Sequence, residues 1–335
     1  MNDGVKLRSE LDGKDNSSED KSSYKKVDIG DMVYNSMRMW QGANGISNFE
    51  GIVSPAYTVL KAKTNINNNY FAKLFKNTRL INEFRKNSQG LTSDTWNLKY
   101  PQIAPIKIMI PNIEEQNKIA EFFSLIDQRI EKQRQLVESL KKYKRGLLSA
   151  IFEQKHRFKD ENGNDYPEWI YTTIKSALNY EQPQKYIVKT ENYNDNYHTP
   201  VLTANKAFVL GYTDEKDGIY NKGNVIIYDD FTMDFKFVEF NFKIKSSTIK
   251  MLTAKENYNL YFIFNLLTHL NLKPQGHQRS YLSILEPMKI LCPTFKEQNK
   301  IAYFLYGIDK NIEQQIKYLN ELIFLKKGLL QQMFI

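Results

Sequence analysis

The sequence predicts an α+β fold with two mixed α/β globular regions, separated by two long antiparallel coiled-coil helices in a pseudo-two-fold repeat. The main observation is that Pro111–Phe152 recurs without a gap as Pro293–Phe334, with roughly 19 of 42 positions identical. Both copies carry apolar residues at heptad spacing, and each copy follows a region that alternates strand and helix patterns. A repeat of this length indicates a chain built as two halves.

The heptad positions predict one apolar seam on each helix. Polar residues interrupt both seams at matching places near the helix centres, Gln133 and Gln315, and two equal helices in one chain most simply pair antiparallel. The two amides would then meet and fix the register at some cost in stability. The alternative is two amphipathic helices in unrelated bundles, which does not explain the matched interruptions. The seam residues are Ile119, Phe123, Ile126, Ile130, Gln133, Val137 and Leu140 in the first helix, and Ile301, Leu305, Ile308, Ile312, Gln315, Leu319 and Leu322 in the second.

Each helix begins with the pattern of a capping box. Asn112 precedes Glu115 by three residues, and Thr294 precedes Glu297 by three. In such a box, the side chain of the cap and that of the third helical residue satisfy each other's backbone donors. About 40 residues at roughly 1.5 Å per residue predict helices of about 60 Å.

Composition shifts between these helices predict five segments. They are a mobile polar tail (1–23), a first globular domain (24–111), a first spacer helix (112–154), a second globular domain (155–293) and a second spacer helix (294–335). The first globular domain has no counterpart of Tyr166-Pro167-Glu168-Trp169, so we expect it to be incomplete at its N-terminus.

Within the globular domains, alternating and helical patterns predict the same order of elements twice. In the first domain we expect strands at Asp28–Tyr34, Gly51–Leu60 and Ile103–Ile110 and a helix at Asn69–Asn87. In the second we expect strands at Asn224–Tyr228, Val238–Ile244, Thr248–Leu252 and Met288–Leu291 and a helix at Asn259–Leu270.

The composition favours a phosphate-rich partner and a cytoplasmic location. The net charge is +9 and the isoelectric point is near 9.2, which suits nucleic acid. Cys292 is the only cysteine, which excludes a disulfide within the chain and a cysteine zinc site. The sequence has no run of 18 apolar residues, so no membrane partner is expected.

No catalytic constellation stands out in the sequence. There is no phosphate-binding loop, nucleophile elbow or Asn-Pro-Pro-aromatic tetrapeptide. The four histidines lack metal-ligand spacing, so we predict no metal and no catalytic residue. Asp229-Asp230 could bind a cation, but adjacent carboxylates in a turn are more often solvated.

The chain instead carries side chains suited to recognition, with 21 Tyr, 20 Phe and many interleaved basic residues. Arg, Gln and Asn can read base edges in the major groove. The bland alternative for each residue is an ordinary polar surface group. The candidates for DNA contact are Arg38, Trp40, Gln41 and Asn44 in one loop, Gln275, His277, Gln278 and Arg279 in another, and Gln89 and Thr92 in its counterpart in the first half.

The repeated Glu-Gln-Asn-Lys-Ile-Ala entry, the Ile-Asp-x-x-Ile-Glu helix and the Lys-x-Gly-Leu-Leu-x-x-x-Phe end resemble the specificity subunit of Type I restriction–modification systems. The connector Arg157-Phe158-Lys159-Asp160 and the Gly51–Tyr57 stretch resemble the same family. The resemblance covers nearly the whole chain after residue 24.

The resemblance implies two target-recognition domains that each read one half of a split double-stranded DNA site, with the helices as a spacer between them. It implies two modification (methyltransferase) subunits docked on the helices, which hold S-adenosylmethionine, and a restriction motor-nuclease subunit. The specificity chain itself would hold no cofactor and have no activity. The alternatives are a non-catalytic coiled-coil adaptor, an inactive truncated specificity subunit, and a fused enzyme, against which the missing methyltransferase motif argues.

Overall fold

The computed structural model describes residues 4–11, 13–15, 17–93, 96–203, 207–274 and 279–334. These residues form a mixed α+β structure, which confirms the predicted class. The elements in chain order are β1 (Lys25–Val27), β2 (Met32–Asn35), β3 (Asn44–Ile46), β4 (Gly51–Val53), β5 (Tyr57–Leu60), α1 (Asn68–Leu74), α2 (Thr78–Asn87), α3 (Tyr100–Ile103), α4 (Ile113–Phe152), β6 (Ile170–Thr173), α5 (Ile174–Ala177), β7 (Leu178–Glu181), β8 (Thr199–Leu202), β9 (Val209–Thr213), β10 (Val225–Asp229), β11 (Phe235–Val238), β12 (Lys243–Ile244), β13 (Ile249–Ala254), α6 (Leu260–Leu270), β14 (Lys289–Cys292) and α7 (Phe295–Gln332).

The chain divides into two compact units. Unit 1 comprises residues 1–136 and 315–335, and unit 2 comprises residues 137–314. Each unit therefore contains the start of one long helix and the end of the other. The start of α4 and the end of α7 belong to unit 1, whereas the end of α4 and the start of α7 belong to unit 2.

Unit 1 is built on a three-stranded antiparallel sheet of order β3-β2-β5, with a separate pair β1-β4. In the central strand β2, Met32 lies opposite both Ile46 and Leu60. Met32 and Tyr34 are buried in one core together with α1, α2 and the long-helix residue Phe123. Burial of this apolar face is the main stabilising contribution to the unit.

Unit 2 is larger. It holds a four-stranded antiparallel sheet β11-β10-β13-β7, a three-stranded sheet β12-β8-β9 and the pair β14-β6. Successive residues of β10 enter two different cores: Ile226 and Tyr228 enter the one that includes α6, and Val225 and Ile227 enter the other. Because side chains alternate between the faces of a strand, this sheet is buried on both faces.

The long-helix segments run antiparallel within unit 1. Phe123 stacks on Phe334 with ring centroids 5.8 Å apart, and the Gln133 amide donates to the Gln315 side-chain oxygen at 2.9 Å. As residue numbers increase along α4, the numbers of the contacting residues on α7 decrease, so the two helical segments are antiparallel. The expected meeting of the two glutamines is therefore present in unit 1.

The long-helix segments within unit 2 show the same direction. The Lys144 ammonium donates to the Asp309 carboxylate at 2.7 Å, and Ile151 shares a core with Ile301 and Leu305. In both units, each residue of the predicted seam is buried or half-buried.

One ion pair occurs twice at equivalent positions of the repeat. Asp127 bonds Lys326 in unit 1, and Asp309 bonds Lys144 in unit 2. Lys144 and Lys326 occupy matching positions of the repeat. No local pattern in the sequence identifies their carboxylate partners, because these lie on the other helix. Burial acts to raise the pKa of Asp127, yet hydrogen bonds from Lys326 and Lys73 outweigh it and leave that pKa below its ordinary value.

A second repeated feature fixes the start of each long helix. Gln116 donates to the carbonyl of Pro111 at 2.9 Å and accepts from the Asn67 N–H at 3.0 Å. Its equivalent Gln298 donates to Pro293 at 3.0 Å and accepts from the Asn259 N–H at 2.9 Å. Both glutamines are buried, and these bonds offset the cost of burying an amide.

The predicted capping boxes are present in part. The Asn112 side chain accepts from the Glu115 N–H at 2.9 Å, and Thr294 accepts from the Glu297 N–H at 3.5 Å. The Glu297 carboxylate does not turn back to the cap, because it accepts from Arg157 at 3.0 Å.

The expected strand at Ile103–Ile110 was wrong. The last residue of α3 is Ile103, and residues 106–110 have no ladder partner among the described residues. The equivalent segment of unit 2, β14, pairs with β6. A strand requires a neighbour for its backbone donors and acceptors, and sequence pattern alone does not reveal whether that neighbour exists.

Three further boundaries were wrong. The strand expected at Gly51–Leu60 is split into β4, which pairs with β1, and β5, which pairs with β2. The helix expected at Asn69–Asn87 is split into α1 and α2, because Asn77 caps α2 and also donates to the Phe334 carbonyl at 3.1 Å. The strand expected at Val238–Ile244 is split into β11 and β12, because the backbone of Phe242 pairs instead with Tyr220.

Within the described ranges, no helix combines the length and the apolar composition that crossing a bilayer requires.

Replacing Gln133 and Gln315 together by Leu should raise the stability of the chain by about 1 kcal/mol, because apolar contact replaces a polar pair of one buried and one half-buried amide. The same change should loosen the helix register. Thermal unfolding measures the first effect. A sharp fall in the midpoint would show that these residues do not lie in the seam.

Asp127→Asn should remove a pH-dependent contribution to stability. Because the folded-state pKa of Asp127 lies below its ordinary value of 3.8, the contribution is present above 3.8 and is lost as the pH falls through the folded-state value. The loss at neutral pH should be about 1 kcal/mol, since the carboxylate is partly exposed to solvent. Urea unfolding at pH 7 and pH 3 checks this. The difference in free energy of unfolding between wild type and variant should be smaller at pH 3 than at pH 7, and an equal difference at both pH values would contradict the prediction.

Candidate nucleic-acid interface

In unit 1, the candidate residues cluster on a short turn between β2 and β3. Met39 is buried and anchors this 3-10 turn, while Gln41 is exposed and Trp40 is half-buried. The turn ends at Gly42, which has φ 76° and whose missing Cβ would lie 3.0 Å from the Phe75 carbonyl oxygen. Only glycine fits this position without strain.

A cationic and aromatic group surrounds Trp40. The indole meets Trp96 edge-on with ring centroids 5.2 Å apart. The Arg85 guanidinium lies 5.8 Å from the Trp40 ring and donates to the Trp40 carbonyl at 3.3 Å. Arg85 and Trp96 were not among the residues selected from the sequence. No spacing signal links them to Trp40, since α2 and the following loop bring them there only in the folded unit.

Gln89 reaches the same part of unit 1. It pairs with Asn97 through two backbone hydrogen bonds of 3.0 and 2.8 Å, which close the loop between α2 and Trp96. The side chains of Gln89 and Thr92 are exposed, and Arg38 is half-buried at the start of the Trp40 turn. We call Arg38, Trp40, Gln41, Arg85, Gln89 and Trp96 the Trp40 cluster.

Asn44 does not belong to this surface, contrary to the prediction. It is buried, with 6% of its surface exposed, and its amide donates to the Gly42 carbonyl at 3.1 Å. Its role is to hold the turn that presents Trp40.

In unit 2, three predicted residues, Gln275, His277 and Gln278, lie outside the described residues. Arg279 is described and exposed. It precedes Ser280, which is buried and bonded to Asp230: the Ser280 N–H donates to the carboxylate at 3.0 Å and its hydroxyl donates to the Asp230 carbonyl at 2.6 Å. The backbone next to the exposed Arg279 is therefore held in place by the hydrogen bonds between Ser280 and Asp230.

The partners of Asp229 and Asp230 account for both carboxylates without a metal. Asp230 also faces the buried Lys250 at 3.5 Å. Asp229 accepts from the N–H of Phe231 at 2.9 Å and from the Thr248 hydroxyl at 2.8 Å. Across the described part of the chain, no group of three or more His, Cys, Asp or Glu side chains is arranged to hold a metal ion.

The tyrosine next to this network stays neutral at physiological pH. Burial raises the pKa of Tyr228 to about 12, and its hydroxyl shares a hydrogen bond with Ser280. These contacts are structural, and they hold β10 and the Ser280 turn together.

The long helices also expose large apolar side chains. On the unit 1 segments, Leu125 and Phe324 have 58% and 78% of their surface exposed, and on the unit 2 segments Tyr143 and Tyr303 have 57% and 84%. Single exposed apolar side chains are common on protein surfaces, whereas contiguous apolar patches mark protein-docking sites.

Comparison with known proteins gives a family match in both halves of the chain. The model of the Type I restriction modification DNA specificity domain matches residues 8–142 and again residues 158–322.

Two curated relatives carry similar names. The EcoR124I/EcoR124II specificity subunit of Escherichia coli is 43% identical over 133 residues, which is 38% of this chain and 32% of that subunit's own length. A putative type I restriction enzyme MjaX specificity subunit of Methanocaldococcus jannaschii is 23% identical over 331 residues, covering 88% of this chain and 75% of the relative.

Two solved structures share the fold. The S subunit of a Type I restriction-modification system from M. genitalium has a TM-score of 0.62 at 15% identity and covers 92% of this chain and 83% of its own. A chain from a study of complex assembly and conformational transition of the type I R-M system has a TM-score of 0.55 at 15% identity and covers 94% and 84%.

Proposed function

Because this chain belongs to the family of Type I restriction modification DNA specificity domains, we propose that it is the DNA-recognition subunit of a Type I restriction–modification complex. The observation that carries the proposal is the double family match, which falls once on each half of the repeat. Each matched half includes one globular region and most of one long helix.

Each unit would read one half of a split double-stranded site. In unit 1, the Trp40 cluster combines planar aromatic groups with guanidinium and amide donors, which suit phosphates and base edges. In unit 2, Arg279 belongs to the second candidate loop and directly precedes Ser280, which is hydrogen-bonded to Asp230. The variable regions would set the sequence that is read, and the repeated helices would set the distance between the half-sites.

The chain would act without catalysis of its own. Two modification subunits would dock on the exposed apolar residues of the long helices, and S-adenosylmethionine would be held by those subunits. The restriction motor-nuclease subunit would complete the assembly. A coiled-coil adaptor that binds only proteins is the alternative, and it predicts no salt-dependent affinity for DNA.

A salt series tests the proposal against the adaptor. The chain, assembled with its modification subunits, is titrated with duplex DNA at several salt concentrations between about 50 and 200 mM. A DNA recognition complex should lose affinity linearly in log[salt], with a slope set by the number of phosphate contacts. Affinity that is absent, or independent of salt, would contradict the proposal.

Arg85→Ala should weaken DNA binding by about 1–3 kcal/mol and reduce sequence discrimination, because it removes a guanidinium from the Trp40 cluster. Lys86→Ala is the matched control. It removes a neighbouring cation of the same helix, which is paired with Glu83 at 2.6 Å. Titration of both variants with duplex DNA checks this, and equal losses would show that the cluster contributes only general charge.

Inserting four residues into the seam of each long helix should increase the preferred gap between half-sites. Four residues add about 6 Å of helix, and one turn of duplex is roughly 34 Å, so a shift of about two base pairs is expected. Targets with varied gaps measure it in a methylation assay. An unchanged preference would refute the spacer role of the helices.

A further inference from the structure

The two units contain the same β-sheet order, with one strand fewer in unit 1. The order β3-β2-β5 in unit 1 corresponds to β11-β10-β13 in unit 2. Register supports this, since Met32 lies opposite Leu60, and Ile226 lies opposite Leu252. In unit 2, β7 pairs with the outer edge of β13. Among the described residues, no strand pairs with the outer edge of β5.

A second edge of unit 1 lacks its neighbour in the same way. The segment Ile106–Ile110 is equivalent to Met288–Cys292, which includes β14. Ile108 and Ile110 have 38% and 40% of their surface exposed, whereas their equivalents Ile290 and Cys292 have 3% and 2%. The difference arises because β6 covers β14 in unit 2.

One continuous segment covers both edges in unit 2. It runs from Trp169 through β6, α5 and β7 to Glu181. Its residues Ile174, Ala177 and Leu178 are at most 2% exposed and fill the core between β13, β14 and α6.

At the corresponding place, unit 1 has an apolar cavity of about 250 Å³. Its lining includes Met32, Leu60, Phe71, Ile106 and Ile108. The Lys25 ammonium donates to the Tyr57 carbonyl of β5, but among the described residues no strand forms a ladder with the outer edge of β5. We call the cavity, this β5 edge and the segment 106–110 together the unit 1 slot.

The slot also presents the hydrogen-bonding groups that the segment uses in unit 2. There, the Lys255 N–H donates to the Ala177 carbonyl at 2.9 Å, and the Lys255 ammonium donates to the Lys175 carbonyl at 2.6 Å. The Ile174 N–H donates to the Met288 carbonyl at 3.0 Å.

The unit 1 equivalents of these groups are Lys63 and Ile106. Lys63 occupies the same place as Lys255 in a Leu-x-Ala-Lys-x-Asn-x-Asn motif that occurs in both units. Within the described ranges, neither the Lys63 donors nor the Ile106 carbonyl has a partner. Lys63 lines the cavity, and its positive charge complements the carbonyl end of a helical turn such as α5.

We propose that the unit 1 slot binds a polypeptide segment with the chemistry of residues 169–181: an apolar strand, one helical turn and a second strand. The segment joins residues 106–110 and β5 by strand addition and places its apolar residues in the cavity.

The register of unit 2 makes the proposal testable by disulfide trapping. Leu291 lies opposite Tyr171, so the segment residue equivalent to Tyr171 should lie opposite Met109, which is 95% exposed. The probe is a synthetic peptide with the sequence of residues 169–181. One version carries Tyr171→Cys, and a control version carries Thr172→Cys, which points to the other face of the strand.

The full chain carrying Met109→Cys is mixed with each peptide in a thiol–disulfide buffer, and the cross-linked product is quantified by mass spectrometry. Native Cys292 is buried and does not compete. We expect the Tyr171→Cys peptide to cross-link about tenfold faster than the control, because only one face of the strand meets residue 109. A chain with Leu91→Cys, at a fully exposed site that does not line the cavity, should show no preference.

Equal rates for both peptides on Met109→Cys would overturn the proposal. So would a failure of both peptides to react with a chain that elutes as a dimer, since a second copy would then occupy the slot. Peptide binding needs no DNA and no modification subunit, so this outcome is independent of the proposed function.

Discussion

The structure depends on the antiparallel packing of the two long helices within each unit. The start of α4 lies against the end of α7 in unit 1, and the start of α7 lies against the end of α4 in unit 2. Each unit thus contains helical residues from both copies of the repeat. The Asp127–Lys326 and Asp309–Lys144 pairs repeat one contact in the two units. Each copy of the repeat carries one aspartate and one lysine at equivalent positions. Antiparallel packing places the aspartate of each helix against the lysine of the other, so the same ion pair forms in both units.

Outside the long helices, the two units differ in the surfaces that they present. The buried Gln116 and Gln298 tie the equivalent loops before α1 and α6 to the long helices through the same hydrogen bonds. Beyond that anchor, the surfaces diverge: unit 1 presents the Trp40 cluster, and unit 2 presents Arg279 on a buried Asp230–Lys250 base. The two copies of the helix thus keep the same contacts, while the attached regions differ in sequence and in surface.

Sequence reasoning predicted the parts that depend on local pattern. The seam positions and the cap at Asn112 follow from spacing along one helix, and the Gln133–Gln315 contact follows from the repeat; all of them are present. Features that depend on distant neighbours were missed. Residues 106–110 have the composition of a strand but no partner strand in the described chain, Asn44 is drawn into the core by its turn, and Arg85 reaches Trp40 only through folding. No local pattern encodes such meetings, because they are decided by tertiary packing.

The most direct test of the account is to express this chain with its modification subunit and map methylated adenines across a genome by long-read sequencing. If each unit reads one half-site, as proposed, the methylated sites should form a split motif with two defined half-sites and one constant gap. A continuous motif, or a split motif whose gap varies freely, would contradict the account, and so would a genome without new methylation.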